Sequence, residues 1–359
     1  MQRPRECEDF WHHIRPKDRD IGRWDNATGN FCNSQAYYKY VSRFSICNIF
    51  AGDQIDQRLH MKKILLISTL ILSAPNIKAC DICGCSAGNY FIGLFPQFRK
   101  HFIGLRYSFR SFHSRVAGDA SQFSRDFYQT IELWGGFNVG KKWQIIGFIP
   151  YNINTQNSDD GKSHSSGLGD ISLIANYRLL DKSSRDTKGN RISQQLWIGG
   201  GLKLPTGKFN ADPDDIIAGA NNQPGTGSAD LILNAMYSLH INDWGINTNA
   251  NYRINQSAKD FRFGNRFSSS AFVFHTMILA KRDFIPNAGL LYENLQSNKL
   301  SSVKIDQTGG NALLAAAGAD MNFNKITAGF NVQLPVHQDL SAGQTTAKVR
   351  GMVHVTLAF

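Results

Sequence analysis

The feature that most constrains the fold is an alternation of apolar and polar residues with a period of two. It is clearest at the end of the chain. Between Val349 and Phe359 every odd-numbered residue is apolar or glycine, whereas Arg350, His354 and Thr356 occupy even positions. Successive side chains of a β-strand point to opposite faces, so this segment predicts a strand with one apolar and one polar face. A terminal strand of this kind that ends in Phe is typical of outer-membrane barrels, whose apolar face meets lipid.

Eleven other segments are strand candidates, and many of them show the same alternation, although alanine fills both faces of one of them, 311–321. An even number of antiparallel strands is a property of bacterial outer-membrane barrels. We therefore predict an all-β fold, a transmembrane antiparallel β-barrel of about twelve strands in the bacterial outer membrane. The predicted strands are 101–112, 127–138, 143–153, 169–180, 195–205, 229–240, 244–255, 270–281, 284–295, 311–321, 326–336 and 347–359.

The connections between these segments support a barrel independently, because short and long ones alternate. Such barrels have short periplasmic turns and long external loops. The link 181–194 is an exception, since it is long where a short turn is expected. The predicted short connections lie near 139–142, 241–243, 282–283 and 322–325. The predicted long polar connections lie near 113–126, 154–168, 206–228, 256–269, 296–310 and 337–346.

Composition excludes other classes of protein. The longest apolar run, Ile64–Ala74, is too short to cross a bilayer as a helix. Helical periods are missing between the strands, which excludes a parallel α/β fold. The basic residues are spread along the chain without a Lys/Arg block, so we expect no nucleic-acid partner. The abundance of Gly and Phe, 32 and 24 residues, suits a barrel wall with glycine at bends and aromatics against lipid.

The N-terminal part divides into three segments. Residues 61–79, MKKILLISTLILSAPNIKA, have the positive, apolar and small-residue regions of a secretory signal peptide. A signal peptide belongs at a translation start, so we interpret residues 1–60 as a spurious extension from a misplaced start codon. A genuine N-terminal domain before a membrane anchor is the alternative. Residues 80–97 then form a Cys-containing segment or small plug, and 98–359 form the barrel.

Three cysteines, Cys80, Cys83 and Cys85, lie together in the sequence CDICGC. Three thiolates on one short turn could bind a soft metal ion such as Cu(I) or Zn(II). A disulfide between two of them is the plainer outcome in an oxidising periplasm. Lipidation of Cys80 is a third reading, although Lys78 fits a lipid-attachment site poorly. Beyond this soft metal ion we expect no cofactor.

Charged residues on the predicted polar faces mark the barrel interior. A charge facing lipid at mid-bilayer costs about 2–4 kcal/mol, so these side chains belong in the lumen. They either line a solute path with a cationic bias or form structural ion pairs. The candidates are Arg106, Arg110, Asp170, Arg178, Lys203, Asp230, Arg253, Glu293 and Arg350.

Two internal matches carry a resemblance to a family. The sequence Gly167–Leu179 recurs loosely as Gly227–Leu239, with Asp170 aligned to Asp230. Between the two copies lie LKLPTGK, which begins at Leu202, and PGTGS, residues 224–228. This ordered set resembles the outer-membrane barrels of the "MetA-pathway of phenol degradation" type, whose members are described as transporters. The resemblance implies relatives among hydrocarbon-uptake barrels, which carry an N-terminal hatch. Only 80–97 would be available for one here, with Tyr90–Phe95 as a small plug.

The sequence thus predicts a passive transporter or channel for small solutes. Apolar or aromatic solutes are the class that we consider first. The alternatives are a metal-binding or redox-linked barrel that uses the cysteines, and a structural or adhesive outer-membrane protein. Expected partners are outer-membrane lipid, a small-molecule solute, and the barrel-assembly machinery through Phe359. No Ser, His and acidic constellation in a catalytic setting is present, so we expect no enzyme.

Overall fold

The computed structural model describes residues 100–116, 119–159, 161–210 and 219–359. The predicted extension, signal peptide and Cys-containing segment lie outside the described residues. Within them, eighteen strands are found, β1 to β18. The bounds are β1 Phe102–Val116, β2 Asp119–Val139, β3 Trp143–Ser158, β4 Gly161–Leu168, β5 Ser172–Arg185, β6 Arg191–Lys203, β7 Asp230–Ile241, β8 Trp244–Ile254, β9 Ser257–Ala258, β10 Phe261–Arg262, β11 Arg266–His275, β12 Met277–Leu279, β13 Arg282–Leu295, β14 Lys299–Leu300, β15 Val303–Lys304, β16 Gly310–Phe323, β17 Ile326–Leu340 and β18 Thr345–Ala358.

The large sheet closes into a barrel of twelve antiparallel strands, as the sequence predicts. Both β4 and β5 pair with β3, so together they form one wall strand, and β11 and β12 form another along β13. Closure comes from β1, which pairs with β18 as well as β2. Every wall strand therefore has two neighbours, which satisfies the backbone hydrogen bonds that lipid could not.

Alternating burial explains why the sequence closes in this way. Along β7, Leu231 and Leu233 are exposed on the outside, whereas Asp230, Ile232 and Asn234 are buried inside. The outward apolar residues form a continuous belt around the barrel, which is the surface that meets lipid. Within the part of the chain that the structure describes, no helix is long and apolar enough to cross a membrane.

Short turns and both ends of the barrel chain lie at one end. The backbone nitrogen of Phe359 donates to the oxygen of His101 across 2.9 Å, next to the turns at 140–142 and 324–325. We assign this end to the periplasm, because periplasmic turns of such barrels are short. The left-handed backbone of Asn242 and Asn324, with φ of 53° and 64°, makes two of these turns tight.

The predicted long connection 181–194 is wrong. Both β5 and β6 continue as a hairpin, which leaves only 186–190 as the turn. The Asp186 side chain closes it by accepting hydrogen bonds from Asn190 and from the Lys188 nitrogen. The hydrogen bond from the Asn190 side chain is the main cause that lowers the pKa of Asp186. The hairpin was missed because its two faces are both polar, which hides the period of two.

Three of the predicted external loops are also strands over most of their length. The sheet extends through 113–116, through 161–168 and through 337–340, so the connections there are the tips of long hairpins. Three connections remain long, 204–229, 255–265 and 296–309, and each of the last two contains two short strands. The small strands β9, β10, β14 and β15 form a second sheet of four strands over the outer end of the barrel.

Candidate functional site

Lys203 lies at the outer end of the barrel interior, between two carboxylates. Its Nζ is 3.0 Å from Asp170 Oδ2 and 2.6 Å from Asp230 Oδ2, and it also donates to Thr226 Oγ1. Lys203 is 2% exposed and Asp230 only 1%. A buried lysine is costly unless it is paired, and here two carboxylates on neighbouring wall strands supply the pairing. We call Asp170, Lys203 and Asp230 the Asp-Lys-Asp cluster.

The cluster fixes the long connection 204–229, which we call the mouth loop. Asp170 Oδ2 accepts from the nitrogen of Thr226 at 2.9 Å and from its hydroxyl at 2.7 Å, and Asp170 Oδ1 accepts from the Gly207 nitrogen at 3.0 Å. Asp230 Oδ1 accepts from Ser228 Oγ at 2.8 Å. Gly207 meets Gly225 so closely that an added Cβ on Gly207 would lie 2.6 Å from the Gly225 Cα. Both ends of the mouth loop are therefore tied to one site.

The described segment 219–224 of the mouth loop packs against the inner side of the wall. A short 3-10 turn, Ala220–Asn222, is buried. The inward side chain of Asn154 donates to the oxygen of Asn222 at 3.0 Å, and Asn152 donates to the oxygen of Pro224 at 2.7 Å. This segment of the loop is therefore bonded to side chains of β3 that point into the barrel.

An apolar cluster covers the mouth loop from outside. Phe261 and Phe263 pack edge to face with centroids 4.9 Å apart, and Phe209 of the mouth loop lies 5.9 Å from Phe263. Ala220, Leu300 and Ile305 complete this cluster. Three connections thus share one small core, which holds the outer end together.

A second group of charges lies on the opposite part of the wall. Arg350 Nη1 is 2.9 Å from Glu293 Oε1. Arg350 is on β18 and Glu293 is on β13, and β16 and β17 lie between these two strands in the wall. Arg110 pairs in register with Arg350, and Arg266 and Arg110 both interact electrostatically with Glu293. Arg253 pairs in register with Arg266. We call Arg110, Arg253, Arg266, Glu293 and Arg350 the arginine cluster.

Aromatic rings lie against these arginines. The guanidinium of Arg350 is 5.5 Å from the Phe112 ring centroid, and Phe112 packs on Tyr128 at 5.9 Å. Arg106 forms an ion pair with Glu132 and lies 5.3 Å from the Trp134 ring. Contacts of this kind between a cation and a ring are favourable in a site removed from water.

A cavity of about 60 Å³ lies among these side chains. Arg106, Arg110, Arg350 and Glu132 supply its charged lining, and Leu291 and Met352 are among its apolar neighbours. A volume of this size is equal to about two water molecules of bulk liquid.

The buried charges of the described residues are unevenly distributed around the wall. The five wall strands from β2 to β7, with β4 and β5 counted as one, carry four carboxylates and one lysine, namely Asp126, Glu132, Asp170, Asp230 and Lys203. The seven wall strands from β8 round to β1, with β11 and β12 counted as one, carry five arginines and two carboxylates, namely Arg106, Arg110, Arg253, Arg266, Arg350, Glu293 and Asp320. Six cations and six carboxylates balance in number, but one side of the interior is acidic and the other is basic.

The nine side chains predicted for the solute path separate into distinct places. Eight of them are buried in the barrel interior, within the Asp-Lys-Asp cluster, the arginine cluster or the Arg106–Glu132 pair. The ninth, Arg178, lies towards the periplasmic end, where it bonds to Asp181 at 2.8 Å and packs over Trp197. Whether any of them contacts a solute stays a prediction.

The cysteines Cys80, Cys83 and Cys85 lie outside the described residues, so the metal prediction stays untested. Among the residues that the structure does describe, no group of three or more His, Cys, Asp and Glu side chains could hold a metal ion.

Sequence reasoning missed several interior groups. Glu132 and Arg266 were not named, although Glu132 occupies an inward position of a predicted strand. A chain of asparagine amides was missed too: Asn234 donates to Asn176 at 2.9 Å, and Asn249 donates to Asn234 at 3.1 Å. For Glu132 and the asparagines the signal was the same inward alternation that identified Asp170 and Arg350, whereas Arg266 lies in 256–269, which was predicted as a loop.

The closed wall, the outward apolar belt and the polar interior define a β-barrel of the bacterial outer membrane. Among solved structures, an outer-membrane channel from Pseudomonas putida F1 is 13% identical, with a TM-score of 0.51, over 76% of this chain and 99% of that one. The β-domain of the Bordetella autotransporter BrkA is also 13% identical, with a TM-score of 0.40, over 72% of this chain and 100% of that one. Comparison with family models gives no match, and comparison with curated proteins gives none. At these identities the likeness concerns the fold alone.

Proposed function

We propose that the protein is a passive outer-membrane channel for small solutes with an apolar or aromatic body, and that it favours those with an anionic group. The observation that carries the proposal is the chemistry of the interior wall, where Arg106 lies against Trp134 and Arg350 against Phe112. Guanidinium groups recognise carboxylates by paired hydrogen bonds, and rings accept an apolar body by stacking.

Two further points support a channel. Channel-forming barrels of the outer membrane have a polar interior, and the interior of this barrel is rich in ion pairs and asparagine amides. The neighbour from Pseudomonas putida is described as an outer-membrane channel, and the proposal extends that description to this chain. Arginine on one side and carboxylates on the other would orient a polar solute as it passes.

We also propose that the chain is of the "MetA-pathway of phenol degradation" type. The support is local, because the pieces that carry the resemblance meet in one place. Asp170 and Asp230, the aligned residues of the two internal copies, both bind Lys203 of the LKLPTGK segment. The PGTGS segment supplies Thr226, which donates to Asp170. The residues that carry the resemblance therefore belong to one set of hydrogen bonds.

The proposal is tested by ion selectivity in planar bilayers, with Arg350→Gln and Glu293→Gln as matched variants. We expect Arg350→Gln to lower the anion-to-cation permeability ratio about fivefold, and Glu293→Gln to raise it. The interaction between two unit charges 4 Å apart in water is about 1 kcal/mol. Removing one such charge from the wall therefore changes the permeability of an ion by about fivefold. Each variant is first checked for heat-dependent migration, which reports a folded barrel.

Solute class is tested in liposomes that contain the barrel. We expect benzoate to enter faster than benzylamine and faster than a sugar of similar size. Absence of any conductance from the folded barrel would contradict the channel itself. Conductance with equal entry of all three solutes would leave the channel standing and remove the solute class.

A further inference from the structure

The outer surface of β18, β1 and β2 carries aromatic residues at the external edge of the apolar belt. Tyr107, Phe109 and Phe127 face outwards, with ring centroids 6.5 Å apart for the first two and 5.8 Å apart for Phe109 and Phe127. The Tyr107 hydroxyl donates to Gln129 at 2.9 Å. Aromatic girdles of this kind mark the level where the hydrocarbon of the bilayer ends and the headgroups begin.

Basic side chains follow directly beyond this girdle on the same outward face. His113 pairs in register with Arg125 across β1 and β2, and Arg115 is the next outward residue of β1. Two residues further along the strand place a side chain about 7 Å higher. Together with Lys348 of β18 these three residues form what we call the basic patch: His113, Arg115, Arg125 and Lys348.

A β-bulge brings Lys348 to this face. The register between β1 and β18 shifts between Arg110 and Phe112, which pair with Arg350 and Ala347. Lys348 and its neighbour Val349 therefore oppose a single residue and are both exposed, whereas Ala347 and Arg350 on either side are buried. Bulges re-aim side chains in this way, and without the bulge strict alternation would not turn both residues outwards.

The patch is ordered by an aromatic ring at its centre. The His113 ring stacks on Phe123 with centroids 5.4 Å apart and an interplanar angle of 11°, and the Arg125 guanidinium lies 5.5 Å from the same ring. Partial burial, and then the charges of Lys348, Arg125 and Arg115, lower the pKa of His113, which lies beyond the membrane-spanning part of β1. Three permanent cations thus converge on one place. The nearby carboxylate of Asp159 accepts a hydrogen bond from the Phe123 nitrogen.

We propose that the basic patch binds the phosphate groups of the phosphorylated glycolipid that forms the outer leaflet, with its acyl chains on the girdle of Tyr107, Phe109 and Phe127. Three features select this partner. The patch lies at headgroup level on the external side, it faces outwards from the barrel, and its charge is opposite to that of phosphate. Arginine offers phosphate a planar fork of donors, while lysine contributes a compact charge.

The test measures lipid binding by the purified, detergent-solubilised barrel with native mass spectrometry. The probes are diphosphorylated lipid A, the same glycolipid without phosphates, and phosphatidylglycerol. The test variant is Arg125→Gln with Lys348→Gln. The control variant is Lys141→Gln with Lys325→Gln, which removes the same charge from exposed turns at the periplasmic end.

We expect diphosphorylated lipid A to bind at least about tenfold more tightly than the dephosphorylated form, as two charge-assisted contacts would give. The test variant should lose this preference, whereas the control variant should keep it. Equal binding of both glycolipids, or no change in the test variant, would overturn the proposal. Equally tight binding of phosphatidylglycerol would replace it with a general site for anionic lipid. Conductance of the barrel is expected to stay unchanged, which separates this result from the channel proposal.

Discussion

Replacing Lys203 with methionine is expected to lower the free energy of unfolding of the barrel by about 3–5 kcal/mol, because two buried carboxylates lose their shared cation. Asp170 and Asp230 would then repel one another across the space that Nζ fills. The hydrogen bond from Lys203 to Thr226 is lost as well, so the mouth loop loses one of its ties to the wall. In planar bilayers we expect larger and noisier single-channel currents than in the wild type.

A matched triple variant distinguishes the effect of unpaired carboxylates from the effect of losing the lysine side chain itself. The triple variant Asp170→Asn, Lys203→Met and Asp230→Asn removes the whole charged set, so no carboxylate stays unpaired. It should recover a large part of the stability lost in the single variant, since uncompensated charge is the main cost of breaking a buried pair. Currents that stay at the wild-type size in both variants would show that the mouth loop does not limit conduction.

The strands could be predicted because lipid on one side and a polar interior on the other impose a strict period of two. Even 311–321, where alanine fills both faces, forms part of β16. Beyond the belt both faces of a hairpin meet water, so the period disappears while the backbone pairing continues. The hairpins that end at 116, 158 and 185 were therefore underestimated, since backbone hydrogen bonds leave no trace in the residue pattern.

The site could be predicted in part, for a related reason. Alternation identified the inward charges, and the internal repeat placed Asp170 and Asp230 at equivalent positions. Their shared partner depends on β6 lying between the two copies, which brings Lys203 to both carboxylates. The pairing of Arg350 with Glu293 crosses two strands, so it depends on the width of the closed barrel. The diameter of the barrel follows from the number and tilt of its strands, so the local residue pattern of one strand does not predict it.

A depth series of arginines along β7 is expected to give the largest effect on stability after Lys203. Leu233 and Ile241 both face outwards and are 54% and 42% exposed, but Leu233 lies within the belt and Ile241 lies at its periplasmic edge. Leu233→Arg should lower the free energy of unfolding by about 2–4 kcal/mol, and Ile241→Arg by about 0–1 kcal/mol, because an arginine near the edge reaches the headgroups. The measurement is reversible denaturant unfolding in phospholipid vesicles.

The two substitutions are on one strand and one face, so the comparison isolates depth from strand propensity and from interior packing. Leu233→Lys gives a second measurement of the free energy of unfolding at the same depth. Its cost should fall in the same range as that of arginine. Equal costs at Leu233 and Ile241 would place the bilayer differently along β7. A larger cost at Ile241 would place the midplane of the bilayer nearer to the short turns and Leu233 at the edge of the belt.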